Sequence, residues 1–216
     1  MTDPALAPTR FIDSDHPAIR AFAATHAGTG DERSRAVALA AAVREAVPYS
    51  LWSFRVEPEV FVASNVLTRE ATFCVPKAVL LAAVARAAGI AARVGFADVH
   101  NHLTSPRFAE LMDTPDFHWH AYTALRIEGQ WLKATPAFDT AFCARAGVPV
   151  LAFDGREDSI FQAFDPAGRR HMEYLTFHGE FDDVPYDRMS SEMTRIYPRM
   201  LAGLARIREE RAARAG

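Results

Sequence analysis

Two residues of this chain carry groups suited to covalent chemistry at positions that would activate them: Cys74 and His120. Cys74 opens the run CVPKAVLLAAVARAAG, in which Leu80, Leu81, Val84 and Ala88 share a helix face and Gly89 supplies a C-terminal stop. Pro76 marks where that helix begins, because proline is tolerated only in the first turn, where its missing N–H costs nothing. The thiol is thereby placed at a helix N-terminus, where partial positive charge and free N–H groups lower a thiol pKa and can receive an oxyanion. The plain alternative is a small buried hydrophobe, the common fate of a lone thiol. Cys143 follows a possible turn in FDTAFCARAG, lacks the helix-start setting and is read as structural.

His120 lies in FHWHAYTALRI. The odd positions Trp119, Ala121, Thr123, Leu125 and Ile127 form one apolar strand face, so His118, His120, Tyr122 and Arg126 point the other way. Taken alone, His120 is an ordinary surface or half-buried histidine. Beside Cys74 it becomes a general base that takes the thiol proton, forms a thiolate–imidazolium pair and later donates to a leaving group. That chemistry is acyl transfer through a thioester.

The elements that must position the two residues are legible at their ends. His16 to Ala27 has helical composition and stops at Gly28 and Gly30. Asp31 can cap a second helix, whose Val37, Ala40, Ala41, Val43 and Val47 repeat at helical spacing until Pro48. Ala63 to Arg69 reads as a short helix or turn. Residues 92 to 99 alternate as a strand, and a polar connection from Thr104 to Phe117 has room for a short helix around Phe108 to Met112. Trp119 to Ile127 and Gln130 to Thr135 make a hairpin across Glu128-Gly129, since glycine supplies a positive φ. VPVLAFD at 148 to 154 reads as another strand, the stretch up to Pro185 as charged and turn-rich, and the end from Asp187 as helical with a break at Pro198.

A chain of 216 residues, half of them apolar, can bury a substantial core, and its length favours one domain over 1–216. Within it, a core of about 60–140 would be supported by helices at 14–48 and extended by 148–213. With 24 basic and 27 acidic residues, no global charge draws it to nucleic acid or an anionic membrane. MTDPALAPTR lacks the pattern of a signal peptide and no segment has transmembrane length, so a soluble cytoplasmic protein is expected. Two cysteines are too few for a disulfide scaffold.

Three blocks, in this order, resemble the transglutaminase-like family of papain-type cysteine enzymes. They are Cys74 leading an Ala/Leu-rich helix into Arg86-Ala87-Ala88-Gly89-Ile90-Ala91-Ala92-Arg93-Val94, then His120-Ala121-Tyr122 opening a strand, then Gly129-Gln130-Trp131 leading to Thr135-Pro136. The resemblance covers roughly residues 60 to 140. It implies an α+β fold in which a cysteine-led helix packs on an antiparallel sheet bearing the histidine, here with added N- and C-terminal helices. It also implies Cys74 as nucleophile, His120 as base and an amide substrate, either a peptide or an amide-containing small molecule. No cofactor is implied, because nothing matches the calcium loop on which some family members depend.

The family usually has Asp-Pro where this chain reads Thr135-Pro136. Across a two-residue turn His120 lies opposite Ala137, which makes Thr135 and Asp139 its diagonal neighbours. A carboxylate orients imidazole better than a hydroxyl, so Asp139 is preferred as the third catalytic residue, although Pro136 can break the ladder first. The same register allows a competing Asp139–His118 pair. Asn65, Thr72 or a backbone N–H are the candidates for an oxyanion hole.

Other clusters have simpler explanations. His100, His102, His118 and His120 form two His-X-His pairs that would ligate zinc only if they converged. Asp154, Arg156, Glu157 and Asp158 read as a solvated turn, and Arg169, Arg170, His171 and the run from Arg206 to Arg214 as exposed charge. The expected function is a cysteine acyl-transfer enzyme, whether protease, amidase or transamidase. The alternatives are a non-catalytic papain-like binding module and a metal site.

Overall fold

Capping decides where the first helices begin. In the computed structural model, which describes residues 3–102, 104–161, 168 and 172–215, the His16 side chain accepts from Ala18 N to start α1 (Pro17–His26). Asp31 accepts from Ser34 N to start α2 (Glu32–Ala46). A single turn, α3 (Ala63–Val66), precedes α4 (Cys74–Ala87), which begins at the cysteine itself. From Val75 to Arg86 every residue of α4 is buried, as a helix apolar on all sides must be. α1, α2 and α3 pack on it from one side and the sheet from the other.

That sheet has four strands, β1 (Ala92–Asn101), β2 (Asp116–Ile127), β3 (Gln130–Ala134) and β4 (Met172–Phe181), antiparallel throughout in the order β3-β2-β1-β4. Glu128 (φ 51°) and Gly129 (φ 84°) both take positive φ, the requirement of a tight primed turn. The ladder runs from Ile127–Gln130 to Thr123–Ala134 in the register expected for that turn, then stops before Pro136. α5 (Pro106–Met112) fills the β1–β2 connection, α6 (Thr140–Ala146) follows β3, and α7 (Tyr186–Ile196) and α8 (Pro198–Ala215) divide at Pro198. Apolar residues from Phe11 to Leu204 share one buried cluster.

Two expectations are corrected. Residues 148 to 154 form no strand: Val148 and Phe153 are buried in the core, but the only bridge nearby among the described residues is an isolated one between Ser159 and Ala134. Conversely, the stretch read as turn-rich contains β4, whose Glu173 and Glu180 obscured an edge strand. Arg169, Arg170 and His171 lie outside the described residues.

Candidate active site

α4 meets the sheet where β3 has ended. Arg126 N donates to Ala91 O on the β1 side, so the odd-numbered amides of β2 face the β3 side, and beyond Thr123 they have no strand to meet. The Ala121 N–H approaches the Cys74 sulfur instead, as do the N–H groups of Val75 and of Cys74 itself. Burial nevertheless outweighs these donors and pushes the thiol up to about 11. The sequence-based expectation of a lowered thiol pKa is thus reversed, because desolvation of the thiolate exceeds what three N–H groups return.

His120 is 6% exposed. Its ring centroid lies 5.6 Å from that of Phe161 and 6.3 Å from that of Tyr174, and its Nε2 is buried without a hydrogen-bond partner among the described residues. Burial drives its pKa down to about 4. Cys74 and His120 line one small cavity of about 30 Å³, together with Phe54, His118 and Tyr197. No hydrogen bond joins thiol and imidazole among the described residues, and burial favours the uncharged form of each. Thr135, at the position where the family carries its acid, is also buried, and its hydroxyl and that of Tyr174 approach one another without hydrogen-bond geometry.

Asp139 is not brought to His120. Its Oδ1 accepts from Phe142 N (2.8 Å) to cap α6 and its Oδ2 accepts from Tyr49 N (2.6 Å). Those two backbone donors, with the nearby Lys77 ammonium, hold its carboxyl below the ordinary value against the opposing effect of burial. Lys77 is itself fully buried, donating to Arg44 O (2.7 Å) and Val47 O (2.8 Å) at the end of α2. The hairpin register held, but the chain leaves the sheet at Pro136 and turns Asp139 into a helix cap. The overlooked signal was local: Asp139 directly precedes the helix-forming TAFCARA. Neither Asn65, which donates to Glu59 O, nor Thr72 lines the cavity, which leaves backbone N–H groups as the oxyanion candidates.

The carboxylate that does meet a histidine of this cavity is Asp98. Between the pairs Ala97–His120 and Val99–Phe117, two residues of β2, His118 and Trp119, face the single residue Asp98. Trp119 has a φ of 61°, and this bulge breaks the alternation that would have put His118 beside His120. His118 Nδ1 lies 2.9 Å from Asp98 Oδ2, and His178 Nε2 lies 2.7 Å from Asp98 Oδ1. The sequence reading missed Asp98 because only the bulge brings these side chains together.

The remaining candidates disperse. His100 bonds Asp116 (2.7 Å) and His102 approaches Glu173 (3.5 Å); among the described residues no group of three His, Cys, Asp or Glu is arranged to hold a metal ion. Asp154 accepts from Arg156 N and Glu157 N within its own turn, and Asp158 pairs with Lys133. Cys143 is buried in α6. A wider groove of about 510 Å³, lined by Tyr49, Trp52 and Phe142, shares Leu51, Phe108 and Phe117 with the Cys74 cavity and so lies directly beside it. Among the described residues no helix is long and apolar enough to cross a membrane.

The family model of the Transglutaminase-like superfamily matches residues 20–136, more than half of the chain. No curated protein matches it. Among solved structures, the chain is similar to a protein from Cytophaga hutchinsonii provisionally named a cysteine protease, with 22% identity and a TM-score of 0.49. The match covers 82% of this chain and 53% of that one, so the chain spans about half the length of that relative.

Proposed function

This chain belongs to the transglutaminase-like superfamily, and on that premise we propose that it is a cysteine-dependent acyl-transfer enzyme acting on an amide of peptide or glutamine type. Cys74 is the nucleophile and His120 the base. As the sulfur attacks the amide carbonyl, its proton passes to His120 and the carbonyl electrons move onto oxygen, which the N–H groups around the sulfur stabilise. Collapse breaks the C–N bond, His120 protonates the departing amine, and a thioester on Cys74 remains for water or an amine to resolve. Asp139 serves as a scaffold, holding Tyr49 and α6 at the wall of the groove.

The observation that carries this reading is the setting of the sulfur: the first turn of a buried helix, three N–H donors at hand and an imidazole lining the same cavity. A thiol near 11 beside an imidazole near 4 means that proton transfer is coupled to substrate binding rather than completed beforehand. The same pKa directions, with no acid on His120 among the described residues, favour the second reading of a non-catalytic binding module. A panel of glutamine-containing peptides and simple amides, assayed for amine release and amine incorporation, separates the two. The enzyme reading expects turnover that Cys74→Ala abolishes and a thioester on Cys74 detectable by mass spectrometry. Equal behaviour of wild type and Cys74→Ala across the panel would establish the binding module.

A further inference from the structure

The cavity around Cys74 holds a second imidazole, and it differs from the first in its exposure and in its carboxylate partner. His118 is 27% exposed at its side chain, whereas His120 is almost sealed from solvent. The 2.9 Å contact between His118 Nδ1 and Asp98 assigns a proton to Nδ1, so that in the neutral ring the lone pair lies on Nε2. That Nε2 has no hydrogen-bond partner among the described residues. Asp98 is itself held from three directions, by His118, by His178 Nε2 and by Trp119 N (3.1 Å). The His118 backbone is pinned by its N–H donating to the Tyr197 hydroxyl, which in turn donates to Asp116 O. The other charges on this face are Glu192, which accepts from Trp119 Nε1, and Arg188, which lies over the Trp119 ring. Both belong to α7, Glu192 acting also on His178, and Asp116 lies with Asp98 near the Tyr197 hydroxyl.

Acyl transfer contains two separate proton tasks. The first removes the thiol proton within the cavity, and the second removes a proton from an acceptor that arrives from solvent. A sealed imidazole suits the first. The second needs a base at the solvent boundary with a free lone pair and a carboxylate behind it to stabilise the imidazolium. We propose that His118, held by Asp98, is the base that activates the acyl acceptor in the second half-reaction. This rests on the acyl-transfer reading of Cys74. In that step the water or amine forms a bond to the thioester carbonyl carbon as His118 Nε2 takes its proton and the carbonyl π electrons move to oxygen. Collapse breaks the C–S bond, and the departing Cys74 sulfur recovers a proton from the imidazolium. Water yields an acid, an amine yields a new amide, and no other reactant is consumed. Asp98 acts through His118 and is a positioning residue.

A p-nitrophenyl ester of a short acyl chain separates the half-reactions: the initial burst of p-nitrophenol reports acylation of Cys74 and the steady rate reports its hydrolysis. The expected result is that His118→Gln and Asp98→Asn slow the steady rate by roughly 100-fold while the burst rate stays within about twofold, with acyl-Cys74 accumulating in the mass spectrum. His120→Gln should instead slow the burst. Free imidazole added to His118→Ala should restore hydrolysis, a rescue that a merely structural defect would not show. Unchanged steady rates in folded His118→Gln, or burst and steady rates falling together without imidazole rescue, would overturn the proposal. A wild type with no Cys74-dependent burst would instead overturn the acyl-transfer reading, and this proposal with it.

Discussion

At the scale of single residues, Cys74 and His120 share a cavity in which burial opposes both charged forms, and that opposition has measurable consequences. His120 falls from an ordinary 6.5 to about 4 in the fold. Between those values the unfolded chain binds a proton that the native state refuses, so stability rises with pH. The contribution is present above 6.5 and lost as pH falls through 4. The difference is about 3 kcal/mol, and urea titrations of wild type should show a steeper acid loss over this window than those of His120→Gln. For Cys74 the ordering predicts that, without substrate, iodoacetamide alkylates it at a rate still climbing above pH 9. A plateau near neutrality would mean that a thiolate–imidazolium pair forms before substrate binds. The identities of these two residues were legible in the sequence because helix-start chemistry and strand position are local. Their pKa directions were not, because desolvation depends on everything packed around them.

At the scale of elements, caps and breakers told most of the story. Asp31, Pro48, Pro76, Gly89 and Pro198 each stand where an element begins or ends, and the Glu128-Gly129 turn set the hairpin register. Asp139 is the instructive case. The hairpin register was right as far as Ala134, but the chain leaves the sheet before Asp139, whose carboxylate caps α6 instead. Asp139→Ala should therefore cost about 2–3 kcal/mol through the lost cap and the stranded Tyr49 N–H, read as a fall in the urea midpoint. Asp139→Asn should leave acylation within about tenfold; a loss near 10⁴-fold, as for a triad acid, would return it to catalysis. Gly95 makes a parallel point about the sheet. A Cβ there would collide with the Tyr122 ring that lies over it, so Gly95→Ala should destabilise by about 2–3 kcal/mol, checked by thermal unfolding. β4 was missed because an edge strand with acids on it lacks a clean alternation. Residues 148–154 were over-read because a short apolar run can be buried without a ladder partner.

At the scale of the whole molecule, Arg86 near the end of α4 ties distant segments together. It donates to Ala7 O (2.5 Å), to Ala92 O (2.8 and 3.1 Å) and to Asp182 O (2.6 Å), joining the N-terminal segment, the start of β1 and the chain leaving β4. Replacing it leaves these carbonyls unpaired, so Arg86→Met should cost about 3–4 kcal/mol, seen in chemical denaturation together with faster proteolysis near Ala7. The sequence by itself determined the helix that begins at Cys74, the strand that carries His120 and the hairpin register, because each depends on residues within a few positions of one another, while the α+β arrangement of a cysteine-led helix on an antiparallel sheet followed from the family resemblance. Only the tertiary structure decided which carboxylate meets which histidine. The bulge at Trp119 turns His118 toward Asp98 on a neighbouring strand, and the break at Pro136 carries Asp139 away from the sheet. Both are single-residue events whose effect on a side chain's direction appears only once the strands are paired.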